Sequence, residues 1–202
     1  MFLPSPTQPS SQTRGQVIPH RRSFWPTSFN RKDLLPLPPE RMWKIERGVV
    51  RSQTLDEDGR AITLGFWGQG DLLGAPLCRM KPYHVECLTP VEISELPPGS
   101  CQLPDALDAL LVHVWKSEEF LAIVQQRFVV QRLWGLLEWL AEEFGTATAD
   151  GQMFDLRLTH QDMAETINAT RVTVTRLLKQ FEQAGKIRRV RYRYELLHPR
   201  VS

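Results

Sequence analysis

Guanidinium and hydroxyl side chains recur at helical spacing in residues 170–179, TRVTVTRLLK, where they could hydrogen-bond to nucleic-acid bases and phosphates. Residues 174–181 place an apolar stripe on the other side of the helix at spacing i, i+3, i+4, i+7: Val174, Leu177, Leu178 and Phe181. An amphipathic helix of this kind can pack on its own domain and present its first two turns to a DNA groove.

A second, shorter helix is predicted just before it. Thr159 can cap this helix, and Asp162 follows three residues later, near the positive end of the helix dipole. Asn168 tolerates the left-handed backbone of a tight turn, and Thr170 can cap the next helix. The alternative is a helix pair with a solvated charged face. We predict a DNA-binding helix-turn-helix whose contacts come from Thr159, His160, Gln161, Thr170, Arg171, Val172, Thr173, Thr175, Arg176 and Lys179.

In the segment that follows, KIRRVRYRYELL, apolar and polar residues alternate, which predicts a β-hairpin after Gly185. Such a hairpin would form a wing beside the second helix. A solvated charged hairpin is the alternative. Because the arginines lie next to a DNA-binding helix, we predict phosphate contacts from Arg188, Arg189, Arg191 and Arg193.

Charge is distributed unevenly over the 202 residues. Residues 150–202 hold ten Lys and Arg against six Asp and Glu, whereas residues 41–149 hold ten against fifteen. A basic end on an acidic body suits a protein that docks one domain on a polyanion.

No apolar run approaches the roughly 20 residues of a membrane span, and the start lacks a secretory signal. Cys78, Cys87 and Cys101 are too scattered for a disulfide framework, so we expect a cytoplasmic protein without membrane contact.

Residues 1–40 contain eight of the fifteen prolines and predict a flexible tail. Two basic pairs in it, Arg21-Arg22 and Arg31-Lys32, could touch phosphates, although a solvated tail is the alternative. The stretch FNRKDLLPLPP could instead pack as an extended arm against the first strand.

Short alternating segments between glycine turns predict an antiparallel barrel over residues 41–100. Trp43 and Ile45 alternate in the first segment, and Ile62, Leu64 and Phe66 alternate in a later one. Asp58-Gly59 supplies a strong hairpin signal between them.

A long helix over residues 103–126 carries apolar residues at alternating spacings of four and three, which is typical of a coiled-coil seam. Packing of this helix on its own barrel is the alternative. Because DNA-binding helices usually work in twofold pairs, we expect a homodimer through Leu103, Leu107, Leu110, Val114, Leu121 and Val124. A further helix, 128–144, ends at Gly145.

Three segments together resemble the cyclic-AMP receptor protein / fumarate-nitrate reductase regulator family of bacterial transcription factors. They are W-x-I-x-x-G-V-V-R…D-G-R…G-x-G-D-x-x-G (Trp43 to Gly74), the long helix and the winged helix. The TRVTVTRLL stretch is most similar to the global nitrogen regulator branch. The resemblance implies an α+β fold: a truncated cyclic-nucleotide-binding-type barrel, a dimerisation helix, and a winged helix-turn-helix domain over 127–202. It also implies a homodimer on palindromic operators, with RNA polymerase as a further partner.

Several departures from the family pattern bear on the effector. The family opens its barrel with extra strands, whereas here a Pro-rich segment precedes Trp43. Cyclic-nucleotide binders follow the G-D-x-x-G turn with Glu and then an Arg-Ser/Thr pair. This chain has Gly74-Ala75-Pro76-Leu77 and then Arg79-Met80, so cyclic AMP is not expected to be the effector. Three distant cysteines cannot hold an iron–sulfur cluster, and His84 or Cys87 as a haem ligand is less expected than a structural role.

Two other function classes compete with a ligand-responsive regulator. A cupin-like metal enzyme needs clustered His and Glu ligands on adjacent strands, but the five histidines are far apart and only His84 lies in the barrel. We therefore expect no enzymatic activity, no metal and no cofactor. A DNA-binding protein that senses no small molecule remains an open alternative.

Overall fold

An antiparallel β-barrel, two helices and a winged helix-turn-helix follow one another along the chain. The structure is a computed structural model that describes residues 27–96, 104–191 and 193–197. The barrel strands are β1 (Thr27–Phe29), β2 (Met42–Arg47), β3 (Val50–Leu55), β4 (Ala61–Trp67), β5 (Leu72–Gly74), β6 (His84–Cys87) and β7 (Val91–Glu95). They form two antiparallel sheets in the orders β1-β7-β2-β5 and β4-β3-β6.

The arm before the barrel differs from the predicted flexible tail. Within residues 27–40, β1 pairs with β7, and Leu35 is buried in the barrel core. The Lys32 amide donates to the Cys87 carbonyl at 2.8 Å, and the Leu35 amide donates to the Val85 carbonyl at 2.9 Å. The arm therefore pairs with β6 and β7, and its Leu35 lies in the same core cluster as Ile45 of β2, the first predicted strand. The described part of the barrel begins at Thr27. Residues 1–26, including Arg21-Arg22, lie outside the described residues.

Strand β4 departs from simple alternation. Its register against β3 shifts between Gly65 opposite Ser52 and Thr63 opposite Gln53, so Leu64 is an extra residue in the ladder. A bulge exchanges the faces of the residues on either side of it. Phe66 is therefore buried, whereas Ile62 is exposed and Thr63 is buried in its place.

The two helices are α1 (Pro104–Val124) and α2 (Val129–Phe144), close to the predicted bounds. Helix α1 packs on the barrel: the His113 ring stacks on Trp67 with centroids 3.9 Å apart. On the same helix, Lys116 pairs with Asp71 of the barrel at 2.9 Å and with Glu143 of α2 at 2.8 Å. These contacts hold α1, α2 and the barrel together.

The winged helix-turn-helix consists of α3 (His160–Thr166), α4 (Arg171–Gln183) and a four-stranded sheet. The sheet runs β10-β11-β9-β8, with β8 (Thr146–Ala147), β9 (Gly151–Phe154), β10 (Ile187–Val190) and β11 (Arg193–Leu197). The predicted wing hairpin is β10–β11. The preceding hairpin, β8–β9, was not predicted, although Asp150-Gly151 is the same kind of turn signal as Asp58-Gly59.

A buried ionic cluster joins the barrel to the helix-turn-helix. Arg51 of β3 donates to Glu86 of β6 at 2.7 Å and to Asp162 of α3 at 3.0 Å, with 4% of its side chain exposed. Beside it, the hydroxyls of Thr63 and Thr166 lie 3.2 Å apart. A buried charge requires such partners, so α3 is held against the barrel at this point.

Candidate nucleic-acid interface

The first helix of the motif, α3, begins with a complete capping box. The Thr159 hydroxyl accepts from the Asp162 amide at 3.1 Å, and the Asp162 carboxylate accepts from the Thr159 amide at 2.7 Å. Burial alone would raise the pKa of Asp162, but the Thr159 hydrogen bonds and the Arg51 charge lower it below its usual value. Met163, Ala164 and Ile167 are buried in the domain core, as their spacing predicted.

The turn and the second helix also follow the sequence. Asn168 has φ 50°, in the left-handed region. The Thr170 hydroxyl caps α4 by accepting from the Thr173 amide at 3.1 Å. The predicted apolar stripe is buried and fixes α4 in the core: Val174, Leu177, Leu178 and Phe181.

The opposite side of α4 faces solvent. Val172 is 78% exposed, and Arg171, Thr175, Arg176 and Lys179 are exposed with it. Thr173 is half-buried. Two hydroxyls of this face are engaged locally: the Thr175 hydroxyl donates to the Arg171 carbonyl at 2.9 Å, and the Thr170 and Thr173 hydroxyls lie 2.9 Å apart.

A cleft of about 480 Å³ lies between the barrel and the wing sheet, and another of about 450 Å³ lies on the helix-turn-helix itself. The second is lined by the start of α3, the start of α4 and the wing: Arg157, Leu158, Thr159, His160, Gln161, Arg171, Arg189 and Tyr194. Three guanidinium groups around one cleft make it suited to an anion.

The wing arginines are not equivalent. Arg188 pairs with Glu195 and, at 2.8 Å, with Asp150, and these carboxylates raise the pKa of Arg188. Arg193 pairs with Asp155 at 3.0 Å. In contrast, Arg189 lies over the Tyr194 ring at 5.9 Å and lines the anion cleft, and Arg191 is exposed at the hairpin tip. The sequence predicted phosphate contacts from all four arginines alike, whereas the structure pairs Arg188 and Arg193 with carboxylates.

Helix α1 carries an exposed apolar face. It consists of Leu107, Leu111, Val114, Trp115 and Leu121, which we call the α1 face. Of the predicted seam, Leu107, Val114 and Leu121 belong to it. Leu110 is half-buried, and Val124 packs against the core of its own chain. Leu103 lies outside the described residues. Leu111 and Trp115 were not part of the predicted dimer seam, because they do not fall at its alternating spacings of four and three residues.

A cluster of buried apolar side chains lies inside the barrel. Its core consists of Leu35, Ile45, Val50, Trp67, Leu73, Val85, Cys87, Val91 and Ile93. Burial, followed by the nearby charges of Asp33 and Glu86, raises the pKa of the Cys87 thiol to about 12. His84, on the same strand, is exposed instead. In the described part of the chain, no group of three or more His, Cys, Asp or Glu side chains is placed to hold a metal ion.

The turn after β5 contains a proline where an amide donor could otherwise face a phosphate. Ala75–Leu77 form a short 3-10 helix with a proline at its start, which removes one amide donor. Arg79 follows on the surface. None of the helices in residues 27–96, 104–191 and 193–197 is long and apolar enough to cross a membrane.

Together, a jelly-roll-like barrel, a long helix and a winged helix-turn-helix with a basic outer face define a class of DNA-binding transcription regulator. Comparisons with known proteins agree. Residues 131–201 match the Crp-like helix-turn-helix domain. The chain is 40% identical over 187 residues to the regulatory protein CysR of Synechococcus elongatus, covering 91% of this chain and 84% of that protein.

Other relatives and solved structures point the same way. The chain is 32% identical over 164 residues to the global nitrogen regulator of a Nostoc species, covering 74% of each. A CRP-family transcriptional regulator from Thermus thermophilus has the same fold, with a TM-score of 0.72, 24% identity, and coverage of 85% of this chain and 92% of that one. The chain belongs to the CRP/FNR family of transcription regulators. The resemblance and the α+β fold class that the sequence indicated are therefore confirmed.

Some contacts of this region were not predicted from the sequence. Arg51 lies 111 residues from Asp162, and nothing in its local sequence marks it as a partner of α3. The hydrogen bonds of His160 to Thr175 and Tyr194 were also missed, although His160 itself was among the predicted DNA-binding residues.

Proposed function

We propose that this regulator is a homodimer that binds palindromic operators by placing α4 of each protomer in the major groove. The observation that carries the proposal is the division of α4 into a buried apolar stripe and an exposed face bearing Arg171, Arg176 and Lys179. A helix fixed on one side and basic on the other is oriented for groove binding. The anion cleft beside it is suited to a backbone phosphate.

Sequence preference would come from the first turn of α4. Arg171 can donate two hydrogen bonds to O6 and N7 of a guanine. Val172 has no hydrogen-bonding group and can only touch a thymine methyl, whereas the family often has Glu at this position, which accepts from cytosine. We therefore propose half-sites that contain a G, most simply G-T, without a requirement for that cytosine.

Backbone phosphates would be bound around this contact. The main proposed ligands are four residues that line the cleft, Thr159, His160, Gln161 and Arg189, together with Arg191 at the exposed hairpin tip. Thr170, Thr173, Thr175, Arg176 and Lys179 would add contacts along α4. Arg188 and Arg193 would have to exchange carboxylate partners for phosphates, so their contribution is proposed to be smaller.

Dimerisation would occur through the α1 face. Five large apolar side chains exposed on one helix are costly in water and are typical of an interface. Two such faces packed around a twofold axis would place the α4 helices about 34 Å apart, one turn of DNA.

A regulator without a small-molecule effector is a second candidate, because a cluster of buried apolar side chains occupies the barrel core. Recognition of the cyclic AMP phosphate would need several hydrogen-bond donors that converge on it. At Gly74–Leu77 a proline removes one of the backbone donors. We propose that the protein binds DNA without cyclic AMP. A saturable rise in melting temperature with cyclic AMP, lost in Arg79→Ala, would contradict this.

Genomic footprinting of the bound protein tests the proposed function. We expect protected twofold-symmetric sites near promoters, from which RNA polymerase would be recruited or excluded according to operator position. Uniform occupancy of the genome without protected sites would contradict sequence-specific regulation.

A further inference from the structure

His160 connects the three elements of the candidate interface. It is the first residue of α3, its Nδ1 lies 2.8 Å from the Thr175 hydroxyl on α4, and its Nε2 lies 3.3 Å from the Tyr194 hydroxyl on β11. The Thr175 proton is donated to the Arg171 carbonyl, so the Thr175 oxygen acts as an acceptor toward His160. In the neutral ring, Nδ1 therefore carries the proton, and Nε2 accepts from the Tyr194 O–H.

The charges that face this ring are predominantly positive. Burial, followed by the charges of Arg189 and Arg171, lowers the pKa of His160, and Glu182 of α4 opposes them. Burial likewise raises the pKa of Tyr194, so this hydroxyl stays protonated at neutral pH. Arg157 lies at the same cleft. A phosphate in the cleft would offset the arginine charges and favour the imidazolium form.

We propose that His160 is a positioning residue that takes up a proton when a DNA phosphate enters the cleft, so that DNA binding tightens as pH falls. The inference rests on the proposed DNA-binding function. A solvent proton binds Nε2, which then donates to the Tyr194 oxygen. The Tyr194 O–H then no longer donates to His160 and can donate to the phosphate, while Nδ1–H still donates to the Thr175 oxygen. Recognition helix, wing and phosphate are then connected through one charged ring.

The direction in which DNA affinity changes with pH follows from proton linkage. The complex binds the proton more tightly than the free protein does. The added affinity is therefore full below the pKa of the free protein and is lost as pH rises through the higher pKa of the complex. We expect the full-length protein to bind a random-sequence duplex about tenfold more tightly at about pH 6 than at about pH 8, at fixed ionic strength.

The direct test is calorimetry of this binding near neutral pH in two buffers that differ in ionisation enthalpy, which counts the protons taken up. We expect uptake by the wild type and by the exposed control His84→Gln, and its loss in His160→Gln. His160→Arg, permanently charged, should bind without pH dependence, at pH 8 as tightly as the wild type does at pH 6. A merely structural role would weaken His160→Gln equally at every pH.

Equal proton uptake by the wild type and His160→Gln would overturn the proposal, as would DNA binding by the wild type without uptake. Because the duplex has a random sequence, proton uptake through His160 is tested independently of sequence-specific binding. Proton-linked binding without any sequence preference would contradict the proposed function alone, whereas no binding to any duplex would contradict both.

Discussion

At the residue scale, the first turn of α4 concentrates the proposed base contacts in Arg171 and Val172. Their roles differ because only the guanidinium can donate hydrogen bonds to a base edge. Arg171 also belongs to the network below it, since its carbonyl accepts from Thr175, which in turn holds His160. The orientation of α4 and the charge state of the cleft are therefore connected through a few side chains.

Replacing Arg171 by alanine should weaken binding to a cognate site by about 1–3 kcal/mol and remove the preference for guanine at one base of each half-site. The measurement is fluorescence anisotropy with operators substituted at that base. Arg60→Ala, on the exposed β3–β4 turn, is the matched control and should bind like the wild type. Unchanged discrimination in Arg171→Ala would assign the base contact to another residue.

The wing arginines should separate into two groups. Arg189→Ala and Arg191→Ala should weaken specific and random DNA alike and lower the slope of log affinity against log salt by about one each. Arg188→Ala should change this slope less, but should lower the melting temperature because buried Glu195 loses its ion pair. A loss of sequence preference at an unchanged salt slope in Arg189→Ala would indicate base contacts instead.

At the element scale, what could be predicted depended on how local each signal was. The caps Thr159 and Thr170 and the left-handed Asn168 were predicted because each acts within three or four residues of its partner. The pairing of Arg188 with Asp150 was not, since the two residues are 38 apart and meet only when β8–β9 joins the wing. Likewise, β1 gains its partner β7 from the far end of the barrel, which composition alone could not indicate.

The proposed dimer interface on α1 can be tested by one substitution. Leu121→Glu should give a monomer that binds a full operator poorly, because the charge would be buried against the partner's α1 face. Leu121 is the cleaner site because it is 55% exposed in the single chain, whereas Leu110 is half-buried and would also affect folding. Sedimentation velocity gives the oligomeric state.

Val130→Glu makes the same chemical change at an exposed position of α2 and should remain dimeric. A dimeric Leu121→Glu variant with full operator affinity would place the interface elsewhere.

At the scale of the whole molecule, Arg51 links the barrel to the DNA-binding domain through its ion pair with Asp162. Burial opposes the charged forms of Glu86 and Asp162, but hydrogen bonds and the Arg51 charge lower the pKa of both carboxyls. Their contribution to stability is therefore present above the usual carboxylate pKa and is lost as pH falls through the lowered values.

Arg51→Met should lower the free energy of unfolding by about 3 kcal/mol at neutral pH, because two partly buried carboxylates lose their shared partner. The loss should shrink on acidification, as the carboxyls of the variant become neutral at higher pH than those of the wild type. Denaturant unfolding at several pH values measures both effects, with the exposed Arg60→Met as control. A variant as stable as the wild type would show that the cluster does not stabilise the docked arrangement.

Selection of binding sites from a pool of random DNA duplexes by the purified protein tests whether it recognises specific, twofold-symmetric operators. We expect twofold-symmetric sites whose half-sites lie about one helical turn apart. Each half-site should have a fixed guanine, and no fixed cytosine at the base next to Val172. Half-sites without a fixed guanine, or a selected pool without twofold symmetry, would contradict this prediction.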